Sequence, residues 1–444
     1  MKAEILWAWR RLNANYWFYP ALFAVSALLL AFVSLWLDRS GYADWLNNFA
    51  WKIAWLDPAR PEGASTMLQV IAGSMIAVAS TVFSITIVAV SYASGTYGPR
   101  LLINFMEDKG NQLSLATFIG TFVFALTVLR TVRAADEPPT NPVDAASSFP
   151  GFVPQLSLLL AFILMIVSVA VLVFFLNHVP SSIRINNVIK DIGKRLMKAV
   201  AKTYPDDGDR DAPDNRPRGR PLRAEKAGYI QLIDFGDMEK LARECECEIT
   251  LMVRTGDFVH KGLPILEIAN GSCHEGCMEE LRECFTQGSS RTPEQDPEFL
   301  IDELVEIGLR ALSPGINDPF TAVTALHWLG AATADLGKRR LVKDICEGDA
   351  EDCPIHPVAD DFRHFVQRGF GAIRSAVATS PIASKIMLDT LRNAALTIEG
   401  EKRRELLLGE AAQLREQARL ALEGPDRREV EDRFDAVMMD FKQA

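Results

Sequence analysis

Recognisable catalytic signatures are missing from this chain of 444 residues. It has no glycine-rich phosphate loop, no dinucleotide-binding glycine fingerprint, no G-x-S-x-G elbow and no H-E-x-x-H zinc motif. The enzyme classes that those motifs mark are therefore not expected. Histidine is scarce and scattered, at 178, 260, 274, 327, 356 and 364. Cysteine is nearly as sparse, at 245, 247, 273, 277, 284, 346 and 353. The one tight cluster, Cys273-His274-Glu275-Gly276-Cys277, is not C-x-x-C and has no second ligand pair nearby. Neither a metal nor another cofactor is expected. Basic surplus is lacking too: the formal net charge is −10, which argues against non-specific nucleic-acid binding. No internal repeat of 20–50 residues is visible.

What the chain has in abundance is apolar sequence at its N-terminal end. Four long stretches occupy residues 17–37, 67–93, 113–132 and 155–179. Each is near or above the ~20 residues that carry a helix across a ~30 Å hydrocarbon core. Lipid offers no hydrogen bonds, so backbone that spans it is helical. The mean hydropathy of +0.07 thus averages an apolar half with a charged one. The first stretch follows a short basic tail but lacks a small-residue cleavage site, so it reads as a retained span.

Basic residues orient the spans. Lys2, Arg10, Arg11, Arg100, Lys109, Arg184, Lys190, Lys194, Arg195, Lys198 and Lys202 fall on one side. The other side carries Arg39, Lys52, Arg60, Arg130 and Arg133, with Asp38, Asp44, Asp57, Glu62, Asp136, Glu137 and Asp144 among them. Both termini are accordingly expected in the cytoplasm. Disulfides are not expected in such a reducing compartment, where all seven cysteines would lie.

The second span carries one further pattern. Ser74, Ala77, Thr81, Ser84, Val88, Ser91 and Gly95 recur every three or four residues and share one helix face. Ile76, Phe83, Ile87 and Val90 are expected on the opposite face. Small residues let helices approach closely, and that is the commoner reason for such a face. The functional reading is a hydroxyl-lined path for small inorganic ions around an oligomer axis. No Asp, Glu, Lys or Arg lies deep in any span, which counts against an ion-coupled transporter. At the inner surface, Arg100 is expected to pair with Asp108 or with a lipid phosphate.

The fold class expected is an α-helical membrane protein: a four-helix transmembrane bundle and a C-terminal cytoplasmic region of a small β module and an all-α domain. The boundaries are residues 1–180 for the bundle, 181–226 for a basic helix and Pro-rich linker, 227–290 for the β module and 291–444 for the helical domain. Amphipathic stretches at 1–16 and 45–56 are expected to lie in the membrane interface. Strands are expected at 228–233, 249–253 and 264–268, with a turn at Arg254-Thr255-Gly256-Asp257. The spacing Val253-x-x-Gly256-Asp257-x-Val259-x-x-Gly262 resembles half of the biotinyl and lipoyl carrier barrel, but the Met-Lys-Met tip of a carrier is absent.

In the helical domain, Asp296-Pro297, Asp318-Pro319 and Ser380-Pro381 pair a capping side chain with Pro at the first helical position. Gly348, Gly400 and Gly424 are expected as stops. Apolar stripes are expected at 299, 304, 307 and 311, and at 382, 386, 391, 395 and 398. Polar groups gather at Asp302, Glu306, Arg310, Asn317 and Asp318, the candidates for a ligand site, although a Glu306–Arg310 pair and a helix cap at Asp318 explain part of the cluster.

Two segments resemble a known family. Pro293-Glu294-Gln295-Asp296-Pro297 through Leu312-Ser313-Pro314-Gly315-Ile316-Asn317-Asp318-Pro319-Phe320-Thr321-Ala322 is one, and Gly98-Pro99-Arg100-Leu101-Leu102 through Gly120-Thr121-Phe122-Val123 is the other. They resemble the bacterial predicted membrane proteins of the domain of unknown function 2254. That resemblance implies a bacterial inner-membrane protein with four spans and a C-terminal cytoplasmic region; it implies no activity. The function expected is a homo-oligomeric passive ion channel lined by the second span and gated or capped by the cytoplasmic domain. The alternative is a non-conducting membrane-anchored sensor or scaffold whose cytoplasmic domain binds a ligand or partner. An enzyme is not expected.

Overall fold

A computed structural model describes residues 15–40, 60–98, 108–133, 152–206, 208, 217–271, 275–343, 345–346, 353–358 and 360–443. The amphipathic stretches at 1–14 and 45–56, Arg100, Cys273, His274 and Gly348 lie outside these residues. The chain divides into two compact units, Met1–Arg184 and Ile185–Ala444.

Among its described residues, the first unit contains four long apolar helices: α1 (Phe18–Arg39), α2 (Pro61–Tyr97), α3 (Lys109–Leu129) and α4 (Gln155–Ser182). All four are long and apolar enough to cross a membrane. Helix α3 is the centre on which the other three pack. Its Phe118 and Phe124 are buried in one core cluster with Leu68 and Ile71 of α2 and Phe175 of α4. Gly120 faces α1, where a Cβ would make ordinary van der Waals contact with Phe23 at 3.5 Å. One buried polar contact ties α3 to α4, the 2.9 Å hydrogen bond between the Thr121 and Ser168 hydroxyls. At one end, Asp38 of α1 accepts from the Leu156 and Ser157 amides, each at 3.0 Å, and so caps the first turn of α4.

The second unit begins with α5 (Ile185–Thr203), whose apolar face, Val188, Ile189, Ile192, Leu196 and Val200, is buried. This basic helix is part of the folded unit: it packs on α8 (Pro297–Ala311) and α9 (Pro319–Leu336). Gly193 makes the approach possible, since a Cβ there would lie 2.2 Å from the Trp328 ring.

The strands β1 (Arg220–Arg223), β2 (Gly228–Ile233), β3 (Glu248–Leu251), β4 (Phe258–Val259), β5 (Pro264–Ala269), β6 (Phe285–Gly288) and β7 (Ile355–His356) form two sheets, ordered β1-β5-β3-β7 and β4-β2-β6. The β module therefore draws β1 from the expected linker and β7 from the expected helical domain. Two short helices, α6 (Phe235–Glu244) and α7 (Glu275–Glu283), pack within it. Cys346 and Cys353 are disulfide-bonded, against the expectation of reduced thiols. Both pack against the β-module core with Cα atoms 5.8 Å apart, a separation that suits the bond.

The helical part continues with α10 (Phe362–Val366), a π-helical turn (Gln367–Gly371), α11 (Ala372–Val377), α12 (Pro381–Ala395), α13 (Glu401–Ala421) and α14 (Gly424–Gln443). Asp296, Asp318 and Ser380 accept from the Phe299, Thr321 and Ala383 amides as capping residues. Gly400 is the N-cap of α13 and not a stop, because α12 has already ended at Ala395. The stripe at 299, 304, 307 and 311 is buried. In α12, however, Ile382 is exposed and the buried face runs through Ala383, Met387, Leu388, Leu391 and Ala394. The cap at Ser380 fixes the helix phase, and that phase turns Ile382 outward.

Candidate functional site

In the membrane unit, α2 is two-faced. Ala64, Leu68, Ile71, Met75, Ala79, Val82, Thr86, Val90 and Ala93 are buried. Ser74, Ala77, Thr81, Ser84, Val88, Ser91 and Gly95 are all exposed. At ~100° per residue the two sets lie about half a turn apart. The stripe is thus opposite the packed face, and close packing within the copy does not account for it. Val90 belongs to the packed face, and Ile76, Phe83 and Ile87 lie on the flank between. Three of the hydroxyl donors are satisfied one turn back: Ser74 donates to the Val70 carbonyl at 2.7 Å, Thr81 to Ala77 at 3.0 Å and Ser84 to Ser80 at 2.9 Å. The helix therefore carries these side chains without an unmet donor, while their lone pairs still face outward.

The candidate Asp108 has a partner that sequence reasoning missed. Its carboxylate caps α3 by accepting from the Asn111 amide at 2.9 Å and lies 2.9 Å from His178 Nε2 of α4. The His178 ring stacks on Phe174, centroids 5.0 Å apart. Gly110 leaves space for it, because a Cβ there would come within 2.5 Å of Nε2. Asp108 and His178 are 70 residues apart, so periodicity gave no signal for the pair.

In the second unit, the motif Pro293-Glu294-Gln295-Asp296-Pro297 is clamped to the β module. The Gln295 side chain accepts from the Ile233 amide at 3.1 Å and donates to its carbonyl at 3.0 Å. Thr255 donates to the Gln295 carbonyl at 2.6 Å. Arg291 binds Asp296 at 2.6 Å and Asp302 at 2.5 Å. Gly256, at φ +93°, sits under this pair; a Cβ would lie 2.2 Å from the Asp296 carboxylate.

The network continues through the π-helical turn, where Arg368 binds Asp302 at 2.7 Å and Glu298 at 2.5 Å. His364 lies 3.2 Å from Glu298. Arg254 binds the buried Asp360 at 2.7 Å, which also accepts from the Tyr204 hydroxyl at 2.7 Å. Burial alone would raise the Glu298 pKa, but the His364 hydrogen bond and the Arg368 charge bring it down to about 2. The same hydrogen bond raises the His364 pKa, and partial burial opposes it.

Of the motif residues singled out from sequence, Asp302 joins this network. Glu306 and Arg310 form the expected i, i+4 pair at 3.9 Å, with both side chains partly exposed. Asn317 and Asp318 are elsewhere, at the turn before α9, where Asn317 takes the left-handed conformation (φ +48°) and Asp318 caps the helix. The five do not form one site. Arg291 and Arg368 were missed; the motif beside Arg291 was a signal, whereas the π-helical turn that places Arg368 had none. Among the described residues, no group of three His, Cys, Asp or Glu side chains is placed to hold a metal.

Comparison with known proteins gives a coarse answer. The family model described as Predicted membrane protein (DUF2254) matches residues 13–393. Two mycobacterial relatives, the uncharacterized protein Mb1321c of Mycobacterium bovis and the uncharacterized protein Rv1290c of Mycobacterium tuberculosis, are each 30% identical over 341 residues. The match covers 74% of this chain and 63% of each relative, so the chain spans less than two thirds of their length. No solved structure matches.

Proposed function

The chain belongs to the predicted membrane proteins of family DUF2254, and from that premise we propose that it is a non-enzymatic, homo-oligomeric inner-membrane channel. In this reading both termini are cytoplasmic and the α2 helices of several copies line a passive path for small inorganic ions. One observation carries the reading: the hydroxyl-bearing face of α2 is exposed and lies opposite the packed face. Against acyl chains such a face gains nothing from its oxygens. Around an oligomer axis the same oxygens replace part of an ion's hydration shell. The interior of a single copy is filled by Phe118, Phe124 and Phe175, each at most 1% exposed, which supports a path between copies and not through one. The shortage of deep charge supports passive conduction.

The test is recording from the purified protein in a planar bilayer. Ser84→Trp should abolish discrete currents while the oligomer mass stays unchanged. Unaltered currents in that variant would overturn the assignment of the lining.

A second reading, the membrane-anchored sensor, is favoured by the C-terminal unit. An ion-pair network there fixes the Pro293–Pro297 motif beside a cavity. Bilayers that stay silent across voltage, pH and divalent ions would move the function to that unit.

A further inference from the structure

We infer that the cavity of the C-terminal unit binds an anion that joins a phosphate group to an apolar body. The inference deepens the sensor reading and rests on it; it does not need the membrane unit to conduct.

The cavity is about 490 Å³, within the size range of small-molecule sites. It lies between α5, the β module and the Pro293–Pro297 motif. Its lining has two chemistries. Ile233, Phe235, Leu251, Val253, Leu300 and Val358 give it an apolar surface. Arg195, Lys198 and Lys202 of α5 line it as well, with Arg254 and Lys343.

Charge accounting favours an anion. The lining holds Lys198, Lys202, Arg254 and Lys343, with Arg195 engaged by a partner of its own, against two carboxylates, Glu294 and Asp296. Asp296 is already neutralised by Arg291. Arg254 is held by Asp360, and the Lys343 ammonium is 3.8 Å from the same carboxylate, beyond hydrogen-bonding length. Lys198 and Lys202 are exposed, so their donors reach a ligand without breaking the core.

Charge favours phosphate over carboxylate. Positions 195, 198 and 202 follow one another at three and four residues along one helix, a row of roughly 10 Å at 1.5 Å per residue. A single carboxylate meets one cation of such a row. A phosphate monoester or diphosphate carries more than one negative charge and several acceptor oxygens, and suits lysine point charges. The apolar surface adds the requirement for a body that water does not favour. Two sources meet this description, a soluble nucleoside phosphate and the phosphate headgroup of a lipid.

The experiment uses the full chain in a neutral maltoside detergent and reads thermal stabilisation. The probes are adenosine monophosphate, dihexanoyl phosphatidic acid and octanoate. One or both phosphate probes should raise the melting temperature with saturation, and which one does so identifies the source. Lys198→Glu combined with Lys202→Glu should weaken that binding by about tenfold or more, and Phe235→Ala should weaken it less. The ligand-free melting curve of each variant reports whether it is folded. No stabilisation by either phosphate probe would overturn the inference. So would stabilisation that survives the double charge reversal in a folded variant. A response to octanoate alone would overturn the phosphate assignment and leave the sensor reading standing.

Discussion

Single residues in the ion-pair network set a pH dependence with a definite sign. His364 gains a partner on folding, and its pKa is raised first by the hydrogen bond to Glu298. Its contribution to stability is therefore complete below about 6.5, the unfolded value, and is lost as pH rises through the folded value. Glu298 behaves oppositely: its contribution is present above the unfolded value and is lost as pH falls towards about 2. Of this pair, only the histidine titrates between about pH 5.5 and about pH 9. The chain should melt higher than His364→Gln at about pH 5.5, and the gap should close by about pH 9. A gap that widens on the alkaline side would refute the pairing. The substitution is informative because His364 is partly exposed, so glutamine fits the space while the ionisable group is removed. None of this was legible in sequence: Glu298 and His364 are 66 residues apart in the chain, and a histidine without neighbours of its kind carries no signature.

At the scale of elements, α2 shows how far periodicity reads and where it stops. The recurrence of small and hydroxyl residues located one face correctly, because 3.6 residues per turn is a property of any helix. It did not say whether the face points into the copy or away from it. Both faces carry small residues, Ala79 on one and Ala77 on the other, and only tertiary packing separates them. This gives a test at neighbouring positions. Ala79→Leu, at a site 4% exposed, should overpack the bundle and cost roughly 1–3 kcal/mol. Ala77→Leu should leave the unfolding of one copy and the oligomer mass nearly unchanged and instead reduce the current in a planar bilayer. Equal destabilisation by both, with assembly intact, would put Ala77 inside the copy and remove the basis for a path between copies. The ends of elements read well for a related reason. Asp296-Pro297, Asp318-Pro319 and Ser380-Pro381 each encode cap and first turn locally. Strands β1 and β7 did not, since each is short and gains its place only by pairing with β5 and β3.

At the scale of the molecule, sequence grouped the basic helix with the linker at 181–226, apart from the β module expected from residue 227. The structure instead buries Val188, Ile189, Ile192, Leu196 and Val200 against the C-terminal helices. An exposed basic face and a buried apolar face coexist on α5, and sequence alone displays both without saying which is satisfied by protein. The consequence is large. At about 2 kcal/mol for each buried aliphatic side chain, five of them contribute on the order of 10 kcal/mol. That is comparable with the whole stability of a typical domain. A fragment of residues 185–444 should therefore melt cooperatively in detergent-free buffer, because this unit has its own core and keeps α5. A fragment starting at residue 204 should lack a cooperative transition, since Trp328 and the surfaces of α8 and α9 lose their cover. Comparing the two by calorimetry separates the alternatives cleanly. If the shorter fragment melts as sharply and as high as the longer one, α5 is an appendage of the membrane spans and its packing on α9 is incidental.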